Sequence, residues 1–373
     1  MVAVGCLVQR YKQDLQEEIP EVDLFMGLTE LKGLVPELRS RGLLPESETV
    51  PIMERPLRVL STETPHTSYL KISEGCDHTC AFCAIPLMRG LHRSQPVEEL
   101  VREAAGLGAQ GVKEINIVSQ DTTWYGRDAR RRDREAPLLP ELLRALIDGT
   151  DVAWCRLFYM YPSGITPEMV ELIASEARIV PYLDMPIQHG SDRMLQLMRR
   201  PERQETIRER VGWLRDAIPG LTLRTTVIVG FPGEQDDDFR EMLDLLEEIR
   251  FDRVGAFTYS VEEGTRAADM AGQLEQAVMN ERLEELMEVQ RDISFEKNLD
   301  LIGQRTTALV DNLLDGDEDF VAVARTVAQA HEVDGVTNLI GLEGTAGIEP
   351  GSMIEVEIVD ALDYDLVAKT RTG

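Results

Sequence analysis

Cys76, Cys80 and Cys83 stand within eight residues of one another in ISEGCDHTCAFCAIP, in a chain that has only five cysteines. A C-x-x-x-C-x-x-C spacing lets one loop wrap three corners of a metal–sulfur cube. A structural zinc site takes four protein ligands, often in two pairs well apart along the chain, so a zinc loop or a chance cluster of thiols is the competing reading. Three thiolates suit a 4Fe-4S cluster whose fourth iron stays open to a small molecule. His78 and His92 lie close by, but neither stands at a spacing that improves on the three thiols. Cys6 and Cys155 are isolated, and Cys155 in AWCRLFY reads as a buried strand residue rather than a ligand.

The elements that must carry this loop alternate between strand-like and helix-like patterns from about residue 66 to 270. Candidate strands cover 67–73, 112–118, 153–159, 182–187, 221–229 and 252–259, with amphipathic stretches between them. Six parallel β/α units are fewer than the eight of a closed TIM barrel, so the expected class is α/β with an open, partial (β/α)6 barrel. Barrel sites form at the carboxyl ends of strands. There the cysteine loop follows the first strand, Ser119, Gln120 and Asp121 follow the second, and Gly230, Gly233 and Glu234 of VIVGFPGE follow the fifth. Arg156, Tyr159, Gln188, His189 and Arg224 also lie on or just after strands, either lining a cavity or packing. Glu262 and Glu263 in YSVEEGT face a substrate entrance or form a solvated turn.

Outside this unit, residues 1–40 begin on the apolar run MVAVGCLV and read as the end of a leading α/β domain, and 41–64 as a linker. The α/β unit is expected over 65–300, closing with a long amphipathic helix at 275–299. After Gly303 short β-rich runs separated by glycine turns fit a small antiparallel barrel over 303–373. The charge run 126–135 reads as a solvated loop.

The formal net charge of −28 would attract a basic partner and repel a phosphate backbone. No stretch of eighteen apolar residues appears, and a cytoplasmic location without a membrane partner is expected.

The cysteine loop, with Phe82 before the third thiol, resembles that of the radical S-adenosylmethionine superfamily. The longer phrases LKISEGCDHTCAFCAIPLMRG, VSQDTTWYG, YLDMPIQHGSDRMLQLMRR, VIVGFPGE and TYSVEEGT resemble the methylthiotransferases, with a leading cluster domain, a radical barrel and a terminal TRAM barrel. The resemblance implies a 4Fe-4S cluster on Cys76, Cys80 and Cys83. It also implies S-adenosylmethionine held near Ser119, Gln120 and Asp121 and near Gly230, Gly233 and Glu234, and an electron donor such as a flavodoxin or ferredoxin. No catalytic side chain is expected beyond the cluster ligands. Cys6 matches one of three ligands of a second 4Fe-4S cluster, which takes part in sulfur transfer; the other two would precede Met1, so the chain is expected to lack the start of that domain.

VSQDTTWYG and DMPIQH resemble the RimO-type branch, which methylthiolates the β-carbon of an aspartate in small-subunit ribosomal protein twelve. The alternatives are the transfer-RNA adenosine branch, MiaB-like, and a non-catalytic metal-binding adaptor that docks a basic ribosomal protein. Residues 303–373 carry four basic and fourteen acidic side chains, a net of about −10. A domain that grips phosphates is basic, so this balance favours a basic protein as partner over RNA.

Overall fold

The computed structural model describes residues 1–45, 60–314, 319–340 and 348–370. Most of the expected linker, at 46–59, lies outside the described residues. At the leading end, β1 (Val2–Val4) and β2 (Leu24–Met26) pair in parallel, connected through the helix Cys6–Glu18.

The central unit begins with β3 (Thr67–Lys71), then β4 (Ser73–Glu74) and β5 (Arg93–Ser94), which pair antiparallel at the foot of the cysteine loop. There follow β6 (Glu114–Val118), β7 (Trp154–Leu157), β8 (Ile179–Asp184), β9 (Thr222–Val229) and β10 (Arg253–Thr258). The strand order β10-β9-β8-β7-β6-β3 is a parallel, open six-stranded sheet, the partial barrel the alternation predicts. Successive strand residues point to opposite faces. Leu70, Ile115, Ile117, Cys155, Leu157, Leu183, Leu223 and Val227 therefore share one face and pack into the main core beneath the helices. The helix Asp236–Ile249 shows how that layer forms: three aspartates in its first turn complement the helix dipole, and Phe239, Met242, Leu245, Leu246 and Ile249 form its buried stripe. Removing any one fully buried leucine here costs about 2–5 kcal/mol.

One strand is displaced from the sequence expectation: β8 spans Ile179–Asp184 rather than 182–187. Pro181 reads as a breaker, but it falls where the β7–β8 register is irregular, between the Cys155 and Leu157 pairings, so its missing N–H is tolerated. Beyond Asp184, Pro186 supplies no donor to continue the ladder.

The terminal unit is a closed barrel of β11 (Arg305–Leu313), β12 (Phe320–Thr326), β13 (Thr337–Ile340), β14 (Met353–Ala361) and β15 (Leu366–Thr370), in the order β11-β12-β13-β15-β14. Four of its pairings are antiparallel; β13 and β15 run parallel. The helix Gln276–Leu299 flanks β10 and reaches this barrel, where Asn298 Nδ2 donates to the Leu362 carbonyl at 3.0 Å.

The barrel is fixed to the sheet's other face through buried charges. Glu114 on β6 accepts from Arg156 Nε at 2.8 Å and from Arg325 of β12 at 2.6 Å. Arg325 also donates to Asp311 at 2.7 Å, and Asp311 meets His66 at 2.9 Å. Arg156 reaches the Val327 carbonyl at 2.7 Å, and Tyr182 donates to Asp334 at 2.7 Å. Burial alone would raise the Glu114 carboxyl, but Arg156 and Arg325 outweigh it and hold it below the usual carboxylate range.

Candidate active site

The cysteine loop leaves the sheet at the carboxyl end of β3 and returns through β5, with Ser73 opposite Ser94 and Glu74 opposite Arg93. Its first turn requires glycine: Gly75 has φ +80°, and a Cβ there would lie 2.3 Å from the Leu91 carbonyl oxygen. Cys76 N then donates to the Gly90 carbonyl at 3.0 Å. The middle of the loop is clamped by neighbours, with Ala81 N donating to Met198 O at 2.9 Å and Ala267 N to Ala81 O at 2.8 Å. Phe82 stands edge-on to Phe231, their ring centres 6.5 Å apart.

Cys76 and Cys80 are buried and Cys83 half-buried, and all three are free thiols. Burial pushes the Cys76 thiol up to about 12 and raises Cys83 as well, so a metal centre must displace their protons. Among the described residues no three His, Cys, Asp or Glu side chains converge on a point that would suit a single metal ion. Ligands of a cube, each on its own corner iron, need no such convergence.

Asp121, nearly fully buried, meets His78 of the cysteine loop at 2.7 Å. Its other oxygen accepts from Thr123 N at 2.9 Å and Thr123 Oγ1 at 2.6 Å, and its own N–H donates to Ser119 Oγ at 3.1 Å. Between them Gln120 Oε1 is buried without a donor, an open acceptor at the end of β6. His78, weighed as a metal ligand, is a hydrogen-bond partner of Asp121, and it stacks on Tyr161 at 4.4 Å with the rings 4° from parallel. His92 instead contacts Ser94, at 3.2 Å.

Past β9, Gly230 has φ +74° and a Cβ there would meet the Met279 side chain at 2.2 Å. Gly233, at φ +84°, has open space where a Cβ would stand. Glu234 is buried with both oxygens engaged: one accepts from Gly230 N at 2.9 Å and meets His189 at 3.1 Å, the other accepts from Arg282 at 2.6 Å. The structure thus gives Glu234 and His189 the work of fixing the glycine turn. Arg156 belongs to the contact with the terminal barrel, and Arg224 pairs with Asp184 at 2.8 Å. Tyr159 and Gln188 follow β7 and β8 with φ +56° and +72°, and Tyr159 is exposed.

Cys6 opens the helix Cys6–Glu18 and faces the cysteine loop across the chain. Arg89, at the end of the short helix after Cys83, donates to Cys6 Sγ at 3.4 Å and to Glu74 at 2.9 Å. The leading segment is held there by Arg10 on Glu262 at 2.9 Å and Tyr11 on Glu263 at 3.0 Å. The two glutamates of YSVEEGT therefore clasp the leading segment.

Sequence reasoning missed Tyr161 and Arg200, which meet at Cys80. Tyr161 Oη and Arg200 Nη1 each lie 3.8 Å from Cys80 Sγ, and the guanidinium lies 3.9 Å from the Tyr161 ring centre. Their positions just past the third strand and past the helix after the fourth were the available signal. The charge run 126–135 is also partly docked: Asp128 accepts from Ser94 at 2.6 Å and Arg131 pairs with Asp77 at 2.7 Å, bracing the loop.

A model of the Radical SAM superfamily matches residues 70–246, and a TRAM domain model matches 302–370. The ribosomal protein uS12 methylthiotransferase RimO of Anaeromyxobacter sp. (strain K) is 45% identical over 373 residues, covering 99% of this chain and 77% of its own length. The protein of the same name from Geobacter sulfurreducens is 39% identical over 374 residues, covering 99% of this chain and 82% of its own.

This chain belongs to the RimO family.

Membership of this radical family brings an iron–sulfur cluster and S-adenosylmethionine as cofactors. Among solved structures, the cobalamin-dependent S-adenosylmethionine radical enzyme OxsB aligns with a TM-score of 0.52 at 15% identity, over 77% of this chain and 43% of that one; the likeness is one of fold. Among the described helices of this RimO-family chain none is long and apolar enough to cross a membrane, Gln276–Leu299 included.

Proposed function

We propose that this chain methylthiolates ribosomal protein uS12, at the β-carbon of an aspartate, by radical S-adenosylmethionine chemistry. The observation that carries the reading is the seating of Cys76, Cys80 and Cys83 as three free thiols on one loop at the carboxyl end of β3, in a chain of the RimO family. The donor set fits a 4Fe-4S cluster: three thiols on one loop, none of them in a disulfide. With S-adenosylmethionine bound, that cluster supplies the hydrogen-atom abstraction that an unactivated C–H bond requires.

The chain's own residues position and shield. Gln120 offers its open carbonyl oxygen to the cofactor's ammonium group, while Ser119 and Asp121 hold the turn that aims it. Gly230 and Gly233 let backbone approach the adenosine portion, and Glu234 keeps that turn in place. Phe82, Phe231 and Tyr259 form an aromatic wall against water. The division that serves this reading is 65–300 for the radical unit, 303–373 for the barrel and 1–40 for the leading segment.

Cys6 is assigned as one ligand of a second cluster, supported by its seat beside Arg89. One thiol does not by itself fit such a cluster, and no step is routed through it. The acidic barrel docks the basic uS12, and a flavodoxin or ferredoxin supplies the electron. Five free thiols suit the reducing cytoplasm.

Anaerobic reconstitution with iron and sulfide tests the reading. Formation of methionine and 5′-deoxyadenosine on reduction, abolished by Cys80→Ala, is expected; retained cleavage in that variant would sink the cluster assignment. Parallel binding to uS12 and to transfer RNA at two salt concentrations tests the substrate, and preference for RNA with a steep salt slope would reverse it.

A further inference from the structure

Cys80 differs from the other two thiols in the company its sulfur keeps. Among the described residues, no side-chain donor lies on the Cys76 or Cys83 sulfur as it does on that of Cys80. Cys80 faces two side-chain donors, Tyr161 Oη and Arg200 Nη1, each at 3.8 Å. With the sulfur deprotonated as a ligand, it has no proton to give, so both groups donate to it.

We infer that Tyr161 and Arg200 set the reduction potential of the cluster that Cys80 ligates, by donating hydrogen bonds to its sulfur. The inference rests on the proposed cluster at Cys76, Cys80 and Cys83. An added electron spreads negative charge onto the ligand sulfurs, and donors aimed at them stabilise the reduced state and raise the potential. Arg200 is a permanent cation in a site that is 2% exposed, where a charge is felt more strongly than in water.

Both donors are held in place before any electron arrives. Arg200 donates through Nη2 to the Pro186 carbonyl at 2.9 Å and pairs through Nε with Glu202 at 3.2 Å. Its guanidinium lies against Tyr161, Tyr161 stacks on His78, and His78 is anchored by Asp121 and by the edge of Trp124 at 5.0 Å. The stack joins the ends of three different strands to one sulfur. Little reorganisation is left to be done when charge develops.

The test is a redox titration with dithionite, followed by electron paramagnetic resonance, on the reconstituted full chain and its variants. Tyr161→Phe removes one hydroxyl and keeps the stack; it should lower the reduced-to-oxidised ratio at fixed poise about tenfold, a fall of about 59 mV for one electron, at unchanged iron content. Trp124→Phe, which keeps an aromatic edge against His78 and has no contact with Cys80, should leave the potential where it was. An unmoved potential in Tyr161→Phe, or an equal fall in Trp124→Phe, overturns the proposal. Should Tyr161→Phe hold no iron, Arg200→Lys repeats the measurement, because it keeps the charge opposite Glu202 while shortening the reach to Cys80. If neither variant holds iron, the two groups serve assembly and the proposal falls. A wild-type chain that assembles no cluster rejects the cluster reading itself, a distinct result.

Discussion

Glu114 of β6 and Arg325 of β12 are 211 residues apart in the chain and 2.6 Å apart in space, with neither side chain more than 2% exposed. Breaking a buried pair leaves its partner charge uncompensated, which costs about 3–5 kcal/mol. Arg325→Met should therefore destabilise the chain by about that much. Because Arg325 joins the barrel to the sheet, calorimetry should also resolve two transitions in the variant against a single one expected for the parent. A single transition at the parent temperature would show that the pair does not fasten the barrel.

Acid should loosen the same joint. Burial would raise both the Glu114 and Asp311 carboxyls, but the arginines around Glu114, and His66 with Arg325 around Asp311, hold both below their ordinary values. A lowered folded value means stability that is present above the unfolded value, about 4, and lost as pH falls through the folded ones. Melting temperature should drop steeply below about pH 4, and Glu114→Gln should start lower and fall less. Parallel acid limbs in parent and variant would contradict this.

Gly75→Ala should damage the cysteine loop without touching a cysteine. Its φ of +80° disfavours any side chain, and the added carbon meets backbone rather than a movable side chain. The strain costs more than about 1 kcal/mol, and iron bound after reconstitution should fall while the far-ultraviolet circular dichroism stays that of the parent. Full iron content would show that the loop tolerates the shift.

Glu234→Gln separates a scaffold from a cofactor contact. Both oxygens of Glu234 serve Gly230, His189 and Arg282, so the loss should fall mainly on stability, by about 3 kcal/mol for a broken buried pair. Thermal melts of the chain without cofactor should show it. An unchanged melt combined with weakened S-adenosylmethionine binding would return Glu234 to the cofactor.

The cysteine loop was legible in the sequence because its three cysteines are local, and the six strands because alternation and length are local as well. Residues whose role depends on distant partners were not. Nothing near Arg200 announces Cys80, 120 positions earlier, and nothing near Glu262 announces Arg10. Glu234 follows a glycine turn as a ligand residue would, and only the folded arrangement shows its oxygens already taken. The run 126–135 has the composition of a solvated loop, yet Asp128 and Arg131 find partners brought to them by β5 and the cysteine loop. β8 starts at Ile179, before the expected 182, because Pro181 is harmless where the register already slips.

The most direct test of the central claim is mass spectrometry of uS12 after anaerobic incubation with the reconstituted chain, S-adenosylmethionine and a reductant. One aspartate should gain a methylthio group with the parent chain and none with Cys80→Ala. Modification that survives Cys80→Ala, or a methylthio group found on transfer RNA while uS12 stays unmodified, would contradict the account.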